Sequence, residues 1–447
     1  MIFIKRCSKA VIYVLFLFLM TIGIARLSIA ESNVLVLTLD RALEIALKDN
    51  KDVKIAQEDI QKADARIREA RSAALPNVSV NNIYTRNLKL PAFFLTFDNK
   101  ITKIVVGSSN SIQSMATLAQ PIWIGGKVGT ALKIAKVYSD ATDESLEKTK
   151  KDVIYQVKQL YYGILLSREA IKVTRQTYEQ ADAHYKNVKS KFDQGAASEF
   201  DLLRAEVQAT NLKPQVTQTE NRLELLQTSL KNLLAINPDQ EIQVDGRFTF
   251  LPLDESTLEQ GSKEALQKRP ELRELELTSQ MMALNVKIER AGWYPSLYLM
   301  GSMQFMGQTN DYRIRKEQRN ISYDVGFQLQ LPIFDGLRTS ARVEQAEIDH
   351  QKMMYQIEKV KDGITTEARQ AVLQMREANQ RVSALVRNVE QAEKAYKIAV
   401  VRYASGIGTQ LELFDAQVAR EMAQMNYLQG VYDYLIAQAA WEKAVGR

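Results

Sequence analysis

Between Ile321 and Ile333 the chain alternates strictly. Ile321, Tyr323, Val325, Phe327, Leu329, Leu331 and Ile333 fall on one side, and Ser322, Asp324, Gly326, Gln328 and Gln330 on the other. A period of two held over thirteen residues predicts a β-strand with one apolar and one polar face. That is longer than an ordinary strand and matches a tilted membrane strand, apolar outward and polar inward. A strand in a soluble sheet would show the same alternation at shorter length. Leu297, Leu299, Met303 and Phe305 continue the theme less cleanly. Strands are therefore expected at about 295–306 and 321–333. Two more, at about 77–90 and 110–122, alternate weakly and rest on the repeat described below.

The rest of the pattern is helical. From Lys127 to Phe192 there is no Pro, and Gly occurs only at Gly129 and Gly163; from Leu337 to Tyr403 the single Gly is Gly363. Helices over 127–192 and 337–403 would each run about 100 Å. Val382, Leu385, Val389, Ala392, Tyr396, Ala399 and Tyr403 follow alternating gaps of three and four, as do Ile171, Thr174, Tyr178, Ala181, Tyr185, Val188 and Phe192. That is the coiled-coil period. It fits laterally packed helices and equally a plain antiparallel hairpin. Gly195 and Gly406 end the long helices, and Ser198 and Thr409 cap return helices expected at 198–235 and 409–445. Pro214 lies inside the first return and should kink it.

These elements occur twice. Tyr185 pairs with Tyr396, Phe192 with Tyr403, Gly195 with Gly406 and Leu202 with Leu413 at a constant offset of 211. The same offset sets Gln120-Pro121-Ile122-Trp123 against Leu331-Pro332-Ile333-Phe334, with a proline closing the second strand of each half. Further upstream the offset is 219, pairing Leu75-Pro76 with Tyr294-Pro295 and Ala46-Leu47 with Ala265-Leu266. The chain thus reads as one duplicated unit, 38–245 and 257–447, joined by a linker at 246–256. Each half is ordered helix, strand, strand, long helix, helix.

Composition then trims the options. A length of 447 residues alone suggests about three domains, which the duplication replaces. With 19 Gly and 9 Pro there are too few turn residues for a many-stranded sandwich, and 25% charged residues is too many for a polytopic helical membrane protein. Lys5, Arg6 and Lys9 precede an apolar run from Ala10 to Ile24 and the small residues Ser28 and Ala30, the layout of a cleaved secretory signal over 1–30. Its loss would take the net charge from +6 to +2, so no nucleic-acid partner is expected. It would also remove Cys7, the single cysteine, which excludes disulfides and cysteine-based zinc sites within the chain.

Recognisable chemistry is missing. Neither GxSxG nor GxxxxGK[ST] occurs. Gly125-Gly126-Lys127 has Pro121 where a P-loop needs Gly, and Gly406-Ile407-Gly408 lacks a third Gly and follows a helix. His184 and His350 lie in predicted helices of different halves and read as satisfied or exposed helix histidines. No catalytic residue, cofactor or metal is expected, and the chain is read as no enzyme.

Four membrane-type strands cannot close on themselves, and an open edge is forbidden in lipid. Several chains must complete one barrel, or the strands never enter a membrane. In the second case the chain would be an exported, soluble coiled-coil rod or adhesin-like protein with a small β cap.

The duplicated layout, the paired prolines, Arg269-Pro270-Glu271-Leu272 and the tip pattern KFxxGxxSxxDLLxA at 191–205 together resemble the TolC-like outer-membrane efflux proteins. The resemblance implies a mainly α chain with a small membrane β part, four strands per chain in a shared 12-stranded trimeric barrel, and a long periplasmic helical tunnel. It implies a homotrimer embedded in outer-membrane lipid and docked to a periplasmic adaptor and an inner-membrane RND, ABC or MFS transporter. The cargo would be small molecules, metal ions or protein. It further implies a periplasmic gate. The family's link tyrosine falls on Tyr403, its acidic partner on Asp201, and the acidic constriction on Glu412 and Asp415, spaced i,i+3 on one helix face. The link arginine would fall on Gly408, a departure from the family pattern. Gly195, Ser198, Gly406 and Thr409 mark the hairpin tips for adaptor docking, and Pro121 and Pro332 the strand ends. The hairpin loops would face outward, with Phe93, Phe94 and Phe97 as an aromatic girdle. Arg313, Arg315, Lys316 and Arg319 would meet lipopolysaccharide phosphates or form a solvated basic loop.

Overall fold

The computed structural model describes residues 34–97, 100–252 and 254–446. The expected signal segment 1–30 lies outside the described residues. The chain starts with β1 (Leu35–Leu37), then α1 (Leu39–Asp49) and α2 (Lys51–Ser72). Four strands follow: β2 (Asn77–Arg86), β3 (Ala92–Phe97), β4 (Lys100–Val105) and β5 (Asn110–Ile124). The long α3 (Lys127–Asp193) turns back into α4 (Glu199–Leu233). After β6 (Ile242–Val244) the order recurs as α5 (Glu255–Lys268), α6 (Pro270–Arg290), β7 (Ser296–Thr309), β8 (Arg319–Gln330), α7 (Arg338–Ala404) and α8 (Gln410–Ala444).

Each long helix has 67 residues, about 100 Å, and each return helix 35, about half that. Pro214 sits inside α4 without ending it. The heptad stripe faces inward along most of its length, with Thr174, Ala181, Val188 and Val382 buried. The helix expected at the head of each half is in fact two helices. Asn50 separates α1 from α2, its Oδ1 accepting from the amides of Asp52 and Val53 as the N-cap of α2. Arg269, 219 positions later, separates α5 from α6. There Pro270 restricts the preceding residue to an extended backbone (φ −82°, ψ 115°). Two apolar cores lie beside these breaks. Ile164, Leu230 and Leu234 occupy one, and their equivalents at offset 211, Met375, Trp441 and Val445, the other. A parallel pairing of β1 with β6 closes the first core.

The strands β2, β5, β7 and β8 form one antiparallel sheet in the order β2-β5-β7-β8. The register explains why the weakly alternating first-half strands belong in it. Val80 lies opposite Ala116, Ala116 opposite Met303 and Met303 opposite Tyr323; Val78, Leu118, Gly301 and Val325 line up likewise. One face is therefore apolar across all four strands. On the other, Ser79, Thr117, Ser302 and Asp324 line up, with the first two hydroxyls 2.7 Å apart and Ser302 donating to Asp324. Both edge strands, β2 and β8, are exposed throughout.

Several strand limits differ from expectation. β8 stops at Gln330, so Leu331, Pro332 and Ile333 lie beyond the sheet. Pro121 lies within β5, where the register against β7 shifts between Pro121 and Trp123. The shift accommodates a residue that has no N–H to give to the ladder. β2 ends at Arg86, whereas β7 continues to Thr309. The loop expected at 91–109 contains the β3–β4 hairpin, which prolongs the β2–β5 ladder through hydrogen bonds from the Asn87 amide to Ser109 O and from the Val106 amide to Pro91 O. Phe93 and Phe94 are exposed on it, and the side chain of Phe97 lies outside the described residues. Among the described residues no helix is long and apolar enough to cross a membrane.

Candidate functional site

Both hairpin tips are built the same way. Gly195 and Gly406 take left-handed φ values of +72° and +73°. That conformation lets the amides of Ala196 and Ile407 bond back to Lys191 O and Arg402 O. Ser198 then caps α4 by accepting from the Asp201 amide, and Thr409 caps α8 by accepting from the Glu412 amide. Gly408 is packed against the end of α7: its amide donates to Arg402 O, and a Cβ there would lie 3.0 Å from that of Arg402. The tight return of the chain thus leaves little room for a side chain at Gly408.

The two acids predicted on one face of α8, Glu412 and Asp415, are both exposed. Glu412 forms an ion pair with Arg402 at 3.5 Å, across the tip between α8 and α7. A guanidinium is therefore present at this level after all, six residues before Gly408. Asp201 turns its carboxylate to the Ser198 hydroxyl at 2.6 Å. Tyr403 lies near enough that Asp201 contributes to raising its phenol pKa, after the larger effect of burial. Among the described residues no hydrogen bond joins Tyr403 to Asp201. Tyr403 instead packs its ring against His184 at 5.2 Å, with the Lys191 ammonium 5.7 Å above it.

The residues that tie the second hairpin to the first were missed in the sequence. Along α8, Gln410, Gln417 and Arg420 are all buried. Gln410 Nε2 reaches His184 Nε2 at 3.1 Å and Asp201 O at 3.2 Å. Gln417 donates to Thr177 O at 3.2 Å. Arg420 donates to Gln180 Oε1 at 2.6 Å and lies 4.0 Å over the ring of Tyr396, whose hydroxyl also donates to Gln180. Phe414 completes the contact, packing edge-on to His184 at 5.3 Å and clustering with Val188 and Ala205. The sequence holds only a partial signal, three long polar side chains at core spacing on α8 where the equivalents in α4 are Glu199, Glu206 and Ala209; their partners appear once α8 is seen to lie against α3. Charge and polarity here act between helices.

Comparison with known proteins agrees with this architecture. The chain is 23% identical over 418 residues to nodulation protein T of Rhizobium leguminosarum bv. trifolii, covering 90% of this chain and 84% of that protein. It is 23% identical over 303 residues to the alkaline protease secretion protein AprF of Pseudomonas aeruginosa, covering 67% and 62%. Among solved structures, the Campylobacter jejuni CmeC outer membrane channel superposes with a TM-score of 0.73 at 20% identity, covering 91% of this chain and 85% of that one, which shows the same fold. The family model for outer membrane efflux proteins matches residues 42–235 and 261–447, and the chain belongs to that family.

Proposed function

We propose that the protein is the passive outer-membrane exit duct of a tripartite efflux or type I secretion assembly. The observation that carries this reading is a four-stranded sheet with one continuous apolar face and two unpaired edges, joined directly to two 67-residue helices. In lipid those edges must be paired, and further copies of the same sheet supply matching edges. Three copies give a 12-stranded barrel, within the range of membrane barrels. The helices support the same association, since apolar residues remain exposed along α4 (Phe200, Leu203, Val207) and α7 (Ile398, Val401), ready for lateral contact.

In this reading the helical hairpins form a periplasmic tunnel that narrows at the tips. Glu412 and Asp415 of three copies place six carboxylates around the opening and favour cations, while Arg402 offsets Glu412. Tyr403 and Asp201 belong to the links that hold the tips closed. Gly195, Ser198, Gly406 and Thr409 shape the tips that meet a periplasmic adaptor, and an inner-membrane transporter of the RND, ABC or MFS type supplies the energy. Fractionation and planar-bilayer recording test the proposal together. A detergent-dependent trimer in the outer membrane that conducts ions is expected; a soluble, non-conducting dimer overturns it.

A further inference from the structure

We propose that His184 makes the contact between the two hairpin tips of each protomer responsive to pH, closed with a neutral imidazole and loosened by its protonation. The geometry fixes the hydrogen-bond roles. Asp201 O can only accept, so the Gln410 atom 3.2 Å from it is the amide nitrogen. That same nitrogen lies 3.1 Å from His184 Nε2, which must therefore accept, leaving the ring proton on Nδ1. Gln410 Oε1 is buried without a partner, so the amide is held by its nitrogen alone. Tyr403 from α7 and Phe414 from α8 cover the ring at 5.2 Å and 5.3 Å.

A proton on Nε2 would turn that acceptor into a donor facing a donor. Rotating the Gln410 amide to present Oε1 would satisfy the imidazolium but release Asp201 O. Either way α8 loses a tie to the first hairpin. The surrounding charges do not compensate. On its own helix His184 feels Lys191, a like charge. From α4, the Asp201 carboxylate is engaged by Ser198, and Arg204 lies over the far aromatic, Phe414, at 5.8 Å. From α7 come the neutral phenol of Tyr403 and Arg402, which pairs with Glu412 of α8. Burial, and then Lys191, holds the His184 pKa below its ordinary value of 6.5.

The sign follows. The closed contact binds fewer protons than the open one, so the histidine's contribution to closure is fully present above its ordinary pKa and weakens as pH falls below it. One proton limits the response to about tenfold in the open-to-closed ratio per pH unit. The inference uses the duct reading only for its consequence, because the contact itself lies within one protomer.

The test is a distance measurement in the purified full-length protein. Cys7 being the single cysteine, spin labels at Ala183→Cys on α3 and Val418→Cys on α8, in a Cys7→Ser background, report the separation. As pH falls from about 7.5 to about 5.5, the ratio of long-distance to short-distance population should rise, by at most about tenfold per unit and only below the ordinary histidine pKa. His184→Gln, a neutral acceptor at every pH, should hold it constant. A pH-independent distance in the labelled protein that keeps His184, or an equal response in His184→Gln, overturns the proposal. A pH-dependent distance in a protein that never conducts would sink the duct reading and leave this one standing.

Discussion

Asn50 and Arg269 do the same work in the two halves of the duplication. Asn50 Nδ2 donates to Leu233 O at 2.8 Å, and Arg269 Nη1 donates to Ala444 O at 3.0 Å. Leu233 and Ala444 are themselves equivalent at offset 211, so each return helix has a last-turn carbonyl met by the side chain at the break between two shorter helices. Arg269 does more, because it also holds Glu271 and, at 2.7 Å, Glu367 of α7.

Truncating these residues should therefore cost unequal amounts. Asn50→Ala removes a cap and one tertiary hydrogen bond, which together contribute about 1–2 kcal/mol. Arg269→Ala strands Glu271 near a buried site, although Glu367 is half exposed and can return to water, so about 2–4 kcal/mol is expected. Arg269→Lys should recover part of the loss, because an ammonium cannot reach three acceptors in the guanidinium's fork geometry. Thermal unfolding followed by helical circular dichroism would show the order; equal losses for Asn50→Ala and Arg269→Ala would contradict it.

How much of this was visible in the sequence depends on the range of the cause. The long helices were legible because the absence of Pro and the heptad stripe are local. The strand at 321–333 was legible because alternation is local too, but its end at Gln330 was not, since pairing with β7 rather than pattern decides where a strand stops. β2 and β5 were recovered only through the repeat; their apolar face becomes continuous once the register aligns Val80 with Ala116 and Met303. The pairing of Leu35–Leu37 with Ile242–Val244 spans about half the chain and left no local mark. The break at Asn50 did leave one, an N-cap residue inside a helical run. The tip acids were placed by resemblance, whereas the Gln410, Gln417 and Arg420 ladder needed the knowledge that α8 lies against α3.

Arg420 is the most committed member of that ladder. Its side chain is only 4% exposed, with Glu393 3.8 Å from its Nε. Arg420→Ala should cost about 2–4 kcal/mol through the lost charge-assisted hydrogen bond to Gln180 and the lost contact with the Tyr396 ring. It should also loosen the tips. In bilayers the expected result is a higher open probability at unchanged full-open conductance. A change in conductance with unaltered gating would instead place Arg420 on the conduction path.

The acids at the tip should behave in the opposite manner. Replacing Glu412 and Asp415 together with Ala should raise conductance and weaken cation preference, because both carboxylates are exposed and in the proposed trimer would act on ions directly. Arg402→Ala should strengthen cation preference by freeing Glu412. Reversal potentials under a salt gradient distinguish the two. An unchanged selectivity in the double variant would remove these residues from the opening.

The last prediction uses one half of the duplication as a control for the other. Each strand-to-helix turn contains two consecutive residues with positive φ: Gly125 and Gly126 in the first half, Gly336 and Leu337 in the second. Leu337 holds φ 64° with a Cβ, a conformation that costs an L-residue about 1–2 kcal/mol. It is exposed, so little burial compensates. Leu337→Gly should therefore be neutral or stabilising by up to about 1 kcal/mol, after the extra backbone entropy of glycine is subtracted. Gly125→Ala should be destabilising by about 1–3 kcal/mol, because its φ is +65° and the new Cβ would lie 2.9 Å from Ala291 O. Melting temperatures of the two variants should move in opposite directions, or only the second should move. A marked loss in Leu337→Gly would mean that the leucine side chain makes a contact across subunits.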